Sequence, residues 1–132
     1  KEQRAMYGGI YDWHTIEGAS VLLHNDKIYC FYSGGAWEKE NYGISYVVSD
    51  HPLNAYHPPS DSSAPLMKTV PGQVIGPGHN SFVLAPDNQT MMCVYHGWDV
   101  DRLSRLMRID PLVWDGDIPR IQGPTWTPQR IP

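Results

Sequence analysis

The 132-residue chain is short of charge, of cysteine, of basic clusters and of long apolar runs. Each shortage removes a class of protein. Charged residues make up only 18% of the chain, and no window is rich in Ala, Leu, Glu and Lys together, so long helices are not expected. Ten Lys and Arg stand against fourteen Asp and Glu, giving a net charge of -4 with no basic run. Nucleic acid is therefore not an expected partner, because phosphate binding requires clustered cations. No apolar stretch approaches the roughly 20 residues of a membrane span, so a membrane is not an expected partner either. No signal peptide is visible, and a first residue other than Met is read as a processed or cloned start. The compartment, secreted or cytoplasmic, stays open. The two cysteines, Cys30 and Cys93, each sit inside an apolar run, which favours buried free thiols over a metal site; a disulfide between them stays open.

What the chain has is turn formers and aromatics. It holds twelve Gly, twelve Pro, five Trp and eight Tyr, a composition that suits many short strands with aromatic packing between sheets or along a sugar-binding cleft. Strands are expected over 19–24, 27–33, 42–49, 80–85, 90–96 and 105–114. Asn25-Asp26 marks a tight turn between the first two. Ile28 to Tyr32 does not alternate apolar with polar, as a strand covered on both faces would not. The Pro-, Ser- and Asp-rich run from His51 to Pro71 reads as a long connection with a short outer strand near Leu66, and the end from Asp115 reads as turns.

A repeat emerges from these elements. Ser20-Val21-Leu22-Leu23 matches Ser81-Phe82-Val83-Leu84 at an offset of 61, and Cys30, Tyr32 and Gly34 match Cys93, Tyr95 and Gly97 at an offset of 63. A period near 60 holding about four short strands is that of a β-propeller blade with a long outer excursion. The expected fold class is all-β: a partial five-bladed propeller of about two four-stranded antiparallel blades plus flanking strands. Residues 1–16 would end a preceding blade, 17–75 form one blade, and 76–132 form the next with a closing segment. Two repeats do not close a ring, so the chain would need a larger protein or further copies of itself around it.

The motifs Ile16-Glu17-Gly18-Ala19, Lys27 to Gly35, Tyr42 to Ser49, Gly76-Pro77-Gly78-His79-Asn80-Ser81 and Arg105 to Gly116 come in an order that resembles glycoside hydrolase family 43, specifically the C-terminal portion of its catalytic domain. Such a resemblance implies a five-bladed propeller that hydrolyses arabinofuranosides or xylosides of plant cell-wall polysaccharides with inversion. It implies Glu17 as general acid, in the family's Glu-Gly-Pro-type motif, with Ala19 where Pro is frequent. The family's two catalytic Asp residues precede this Glu, so the base is expected outside this chain, supplied by an N-terminal propeller portion as a separate chain or by additional copies.

The same resemblance places His79 near the propeller axis as a substrate-binding residue and potential ligand of a structural calcium, no cofactor being required. It places Arg105 in the sugar pocket, with Arg102 and Arg108 as rivals. Trp37 is a candidate stacking wall. From the residues alone, Glu17 reads as a surface carboxylate before a strand, and only the resemblance makes it the acid; His79 also reads as a core histidine, Arg105 as a surface cation and Trp37 as a packing residue. The expected partner is a pentose-containing oligosaccharide. The alternatives are a non-catalytic carbohydrate-binding propeller fragment and a homo-oligomeric propeller scaffold.

Overall fold

The computed structural model describes residues 13, 15–59 and 65–132. Most of the preceding-blade segment, with Tyr7, Gly8-Gly9 and Tyr11, lies outside the described residues. Among those described, the protein is all-β, with seven strands and no helix: β1 (Ile16–His24), β2 (Lys27–Gly34), β3 (Gly43–Ser49), β4 (Ile75–Leu84), β5 (Met91–Trp98), β6 (Arg105–Asp115) and β7 (Ile118–Ile121). They form two antiparallel sheets in simple meander order, β1-β2-β3 and β4-β5-β6-β7. This is a partial β-propeller.

Turn chemistry sets the hairpins. Asn25 and Asp26 both have positive φ, 47° and 59°, as a two-residue hairpin turn matched to strand twist requires. The corresponding turn between β4 and β5 is longer and is built by Asp87, whose Oδ1 accepts from the amides of Gln89 and Thr90 and whose Oδ2 accepts from the Thr90 hydroxyl.

Two elements differ from expectation. Among the described residues the first sheet has three strands, not four. Its outer position is taken by isolated bridges, Val48 with His57 and Ile44 with Met67, on a connection whose prolines cannot donate to a continuous ladder. The second sheet gains β7, hidden in sequence because Pro119 lies within it; β7 is an edge strand, where a missing amide is tolerated.

The core lies between the sheets. Tyr29, Phe31, Ile44, Tyr46 and Met67 pack against Cys93, Tyr95, Leu112 and Ile121, with Phe82 and Trp114 at the margin. Phe31 meets Phe82 with ring centroids 4.6 Å apart, and Tyr29 meets Trp114 at 4.7 Å. Burying each such ring contributes roughly 2–3 kcal/mol. The opposite face of the first sheet is covered in part by Trp13, Tyr32, Val47 and Tyr56, so β2 is indeed enclosed on both sides. Both cysteines are free, and burial raises the thiol pKa of each. A polar latch ties the sheets at one end. Asp117 receives Lys27 and Asn25, and Tyr29 donates to its backbone carbonyl at 2.8 Å.

Candidate functional site

The inner strands β1 and β4 carry the same irregularity at the same point of the repeat. The β1–β2 register slips between Glu17 and Ser20, and the β4–β5 register slips between Gly78 and Ser81. The left-handed residues at these bulges are Gly18 (φ 64°) and His79 (φ 56°), 61 residues apart like the rest of the repeat. Bulges of this kind bend a strand and re-aim its side chains. The two bulges touch: a Cβ built on Gly18 would lie 3.3 Å from His79 Cα. His79 lacks glycine's tolerance of this conformation, but its amide donates to Ser33 Oγ at 2.6 Å, which holds the unusual backbone in place.

This geometry brings Glu17 and His79 together from different sheets, with Nδ1 and Oε1 3.9 Å apart. The Tyr42 hydroxyl donates to Glu17 Oε1 at 2.7 Å. The Tyr42 ring lies nearly parallel to His96, with centroids 5.8 Å apart and planes 5° apart, and His96 in turn lies 6.1 Å from His79. Glu17 and His79 are open to solvent, with side chains 38% and 56% accessible, while Tyr42 is fully buried.

The Gly76-Pro77-Gly78 motif now has a steric reason. A Cβ on Gly78 would overlap the Tyr42 ring, and one on Gly76 would press on the Lys39 carbonyl at 2.7 Å. The bare backbone of β4 is the seat of Tyr42.

Arg105 and Trp37 stand next to this group. The Arg105 guanidinium sits 4.4 Å from the Trp37 ring and 5.9 Å from Trp98, within reach of a cation–π interaction. Trp37 and Trp98 stack at 5.9 Å, and Trp98 Nε1 donates to the Trp37 carbonyl at 2.9 Å. Arg105 and Arg108 separate as strand alternation requires, and Arg102 lies in the loop before β6. Arg105 shares its face with Trp98, whereas Arg108 pairs with Tyr95 and donates to the Thr125 carbonyl at 3.0 Å. Arg102 pairs with Glu40 at 2.8 Å, pinning the β5–β6 loop to the β2–β3 loop.

The electrostatics follow from burial. His96 is pushed down to about 4, first by desolvation and then by Arg105 and His79, against an upward pull from Glu17. It is therefore neutral near pH 7. Tyr42 is raised well above the usual phenol range, mainly by burial and then by its bond to Glu17, so its hydroxyl keeps its proton and acts as a donor.

No three His, Cys, Asp or Glu side chains converge in a metal-binding group among the described residues. Calcium takes six to eight oxygens, and among the described residues the carboxylate beside His79 is the half-exposed Glu17. The described residues alone do not form a calcium shell.

All four residues anticipated from sequence, Glu17, His79, Arg105 and Trp37, thus lie at one end of the two sheets. Tyr42, His96, Trp98 and Ser33 were not anticipated. The repeat held a signal for two of them, because Ser33 and His96 occupy matching places at the offset of 63.

Residues 1–119 match the sequence model of the glycosyl hydrolases family 43. The chain belongs to that family. It is similar to the beta-D-galactofuranosidase xynD of Aspergillus niger, 34% identical over 96 residues, a match covering 71% of this chain and 26% of the relative. It is also similar to an extracellular exo-alpha-(1->5)-L-arabinofuranosidase of Streptomyces avermitilis, 31% identical over 129 residues and covering 91% of this chain and 26% of the relative. Among solved structures, a thermostable family-43 glycoside hydrolase superimposes with a TM-score of 0.79 at 33% identity, over 89% of this chain and 38% of that one. The chain thus spans about a quarter of the length of these two curated relatives.

Proposed function

We propose that this chain supplies the general acid and one wall of the substrate site to a family 43 glycoside hydrolase acting on arabinofuranosides or xylosides of plant polysaccharides. The observation that carries the reading is the convergence of Glu17, Tyr42 and His79 at the contact of two bulged strands, with the carboxyl still open to solvent. Two relatives are named for furanosides, an arabinofuranoside and a galactofuranoside, and this favours a five-membered sugar ring over a xylopyranose.

In an inverting reaction a carboxylic acid protonates the leaving oxygen while a carboxylate across the ring activates water. Glu17 takes the first role. The base comes from a part of the propeller outside these 132 residues. The Arg105 guanidinium, braced on Trp37, and the exposed His79 imidazole would bond sugar hydroxyls. No step requires calcium.

The test joins this chain to the remainder of a family 43 catalytic domain and compares aryl arabinofuranosides of different leaving ability. Glu17→Ala should lower turnover about 10²- to 10⁴-fold on poor leaving groups and far less on a dinitrophenyl glycoside. An equal loss on every substrate removes Glu17 from the acid role. Sugar binding without turnover in the joined protein would instead favour a carbohydrate-binding propeller.

A further inference from the structure

We propose that Tyr42 is the positioning residue for Glu17, and that it reserves Oε2 as the oxygen that hands the proton to the leaving group. The inference deepens the acid reading of Glu17 and rests on it.

Three features of Tyr42 support this. First, the side chain cannot wander: it is fully buried, its ring fills the space over Gly78 and it lies parallel to His96. Second, its hydroxyl reaches the acid across the sheet contact, donating to Oε1 at 2.7 Å. Third, Oε1 is also the oxygen nearest His79 Nδ1, at 3.9 Å, which leaves Oε2 as the one without these neighbours. His96 supports Tyr42 through its ring face rather than by hydrogen bonding, since its buried Nδ1 has no hydrogen-bond partner among the described residues.

The proton balance is simple. The O–H bond on Glu17 Oε2 breaks as a new O–H bond forms on the glycosidic oxygen. The electron pair of the breaking C–O bond goes to that oxygen. Water adds to the anomeric carbon and gives its proton to the carboxylate base. Glu17 is left as an anion, and the bond from Tyr42 to Oε1 becomes charge-assisted at that moment. An interaction that strengthens as charge develops accelerates the reaction, whereas one present throughout does not.

Tyr42→Phe keeps the ring on Gly78 and His96 and removes only the donor. In the joined enzyme it should lower kcat about 10- to 100-fold on poor leaving groups, with KM unchanged and less than about 3-fold loss on a dinitrophenyl glycoside. Unchanged kcat on poor leaving groups, or the same loss on all substrates, overturns the proposal. If Tyr42→Phe does not fold, 3-fluorotyrosine at position 42 keeps the shape and alters the donor; kcat on poor leaving groups should then change while the dinitrophenyl rate holds. No change in either overturns it as well. Glu17→Gln separates this inference from the one beneath it. If Glu17→Gln spares poor substrates, the acid reading itself fails; if it abolishes them while Tyr42→Phe does not, only the positioning role fails.

Discussion

His96 shows how one side chain ties stability to acidity. Its folded value is near 4, against an ordinary value near 6.5, because burial and the neighbouring Arg105 and His79 disfavour its charged form. Between those values the unfolded chain binds a proton that the folded chain refuses, so stability rises with pH. The contribution is complete above about pH 6.5 and fades as pH falls toward 4. After allowance for the partial exposure of His96, the loss should be about 1–2 kcal/mol. Urea midpoints measured from pH 7 to 4 should show this slope, and His96→Phe, which keeps a ring beside Tyr42, should flatten it. Asp87 and Asp117, whose carboxyl values are lowered by their hydrogen-bond donors, act in a separate window below about pH 4. At this scale the sequence was partly legible. Glu17, His79 and Arg105 stood out through motif resemblance, and Trp37 as an aromatic just after Gly34-Gly35. Tyr42 did not, because its role depends on a glycine 36 positions later, and His96 did not, because its neutral state is a product of burial.

Among the elements, β6 and the C-terminal segment depend on one carboxylate. Asp110 is fully buried in β6. Its Oδ2 accepts from the Tyr95 hydroxyl at 2.6 Å and from the Thr125 amide at 3.1 Å, and its Oδ1 accepts from the Thr125 hydroxyl at 2.6 Å. Asp110→Ala would strand these donors and should cost about 3–5 kcal/mol. Thermal melts should report that loss, and limited proteolysis should cut after residue 121 first. The strands themselves were readable wherever turn residues bounded an apolar run, as in β2, β3 and β6. The starts of β1 and β4 were not, since bulges interrupt their alternation at Gly18 and His79. The missing outer strand of the first sheet and the added β7 are both proline effects of opposite sign: proline blocks a ladder in the connection and is tolerated at an edge.

For the molecule as a whole, the governing feature is an uncovered apolar strand face on a partial propeller. Val21 and Leu23 of β1 are 55% and 78% exposed on the face that lies away from the shared core. A neighbouring blade, from the rest of the domain or from another copy, would cover them. Exposed apolar strand faces favour association. Sedimentation of the isolated chain should therefore show concentration-dependent association, and the double variant Val21→Glu, Leu23→Glu should stay monomeric and fail to join the remainder of the domain. A wild-type chain that stays monomeric at every concentration would count against that account. At this scale the two-sheet plan was legible in the sequence, because strands and closing glycines recur about 60 residues apart.

Where the first repeat has Gly18 in a left-handed pose, the second has an imidazole in the same pose. Glycine tolerates that conformation far better than histidine does. The second blade is therefore less relaxed than it could be at the one spot where a ring nitrogen faces the acid. A search for hardier variants would drift toward glycine or asparagine at position 79, and each step gained in robustness there would come at the expense of the imidazole that faces Glu17.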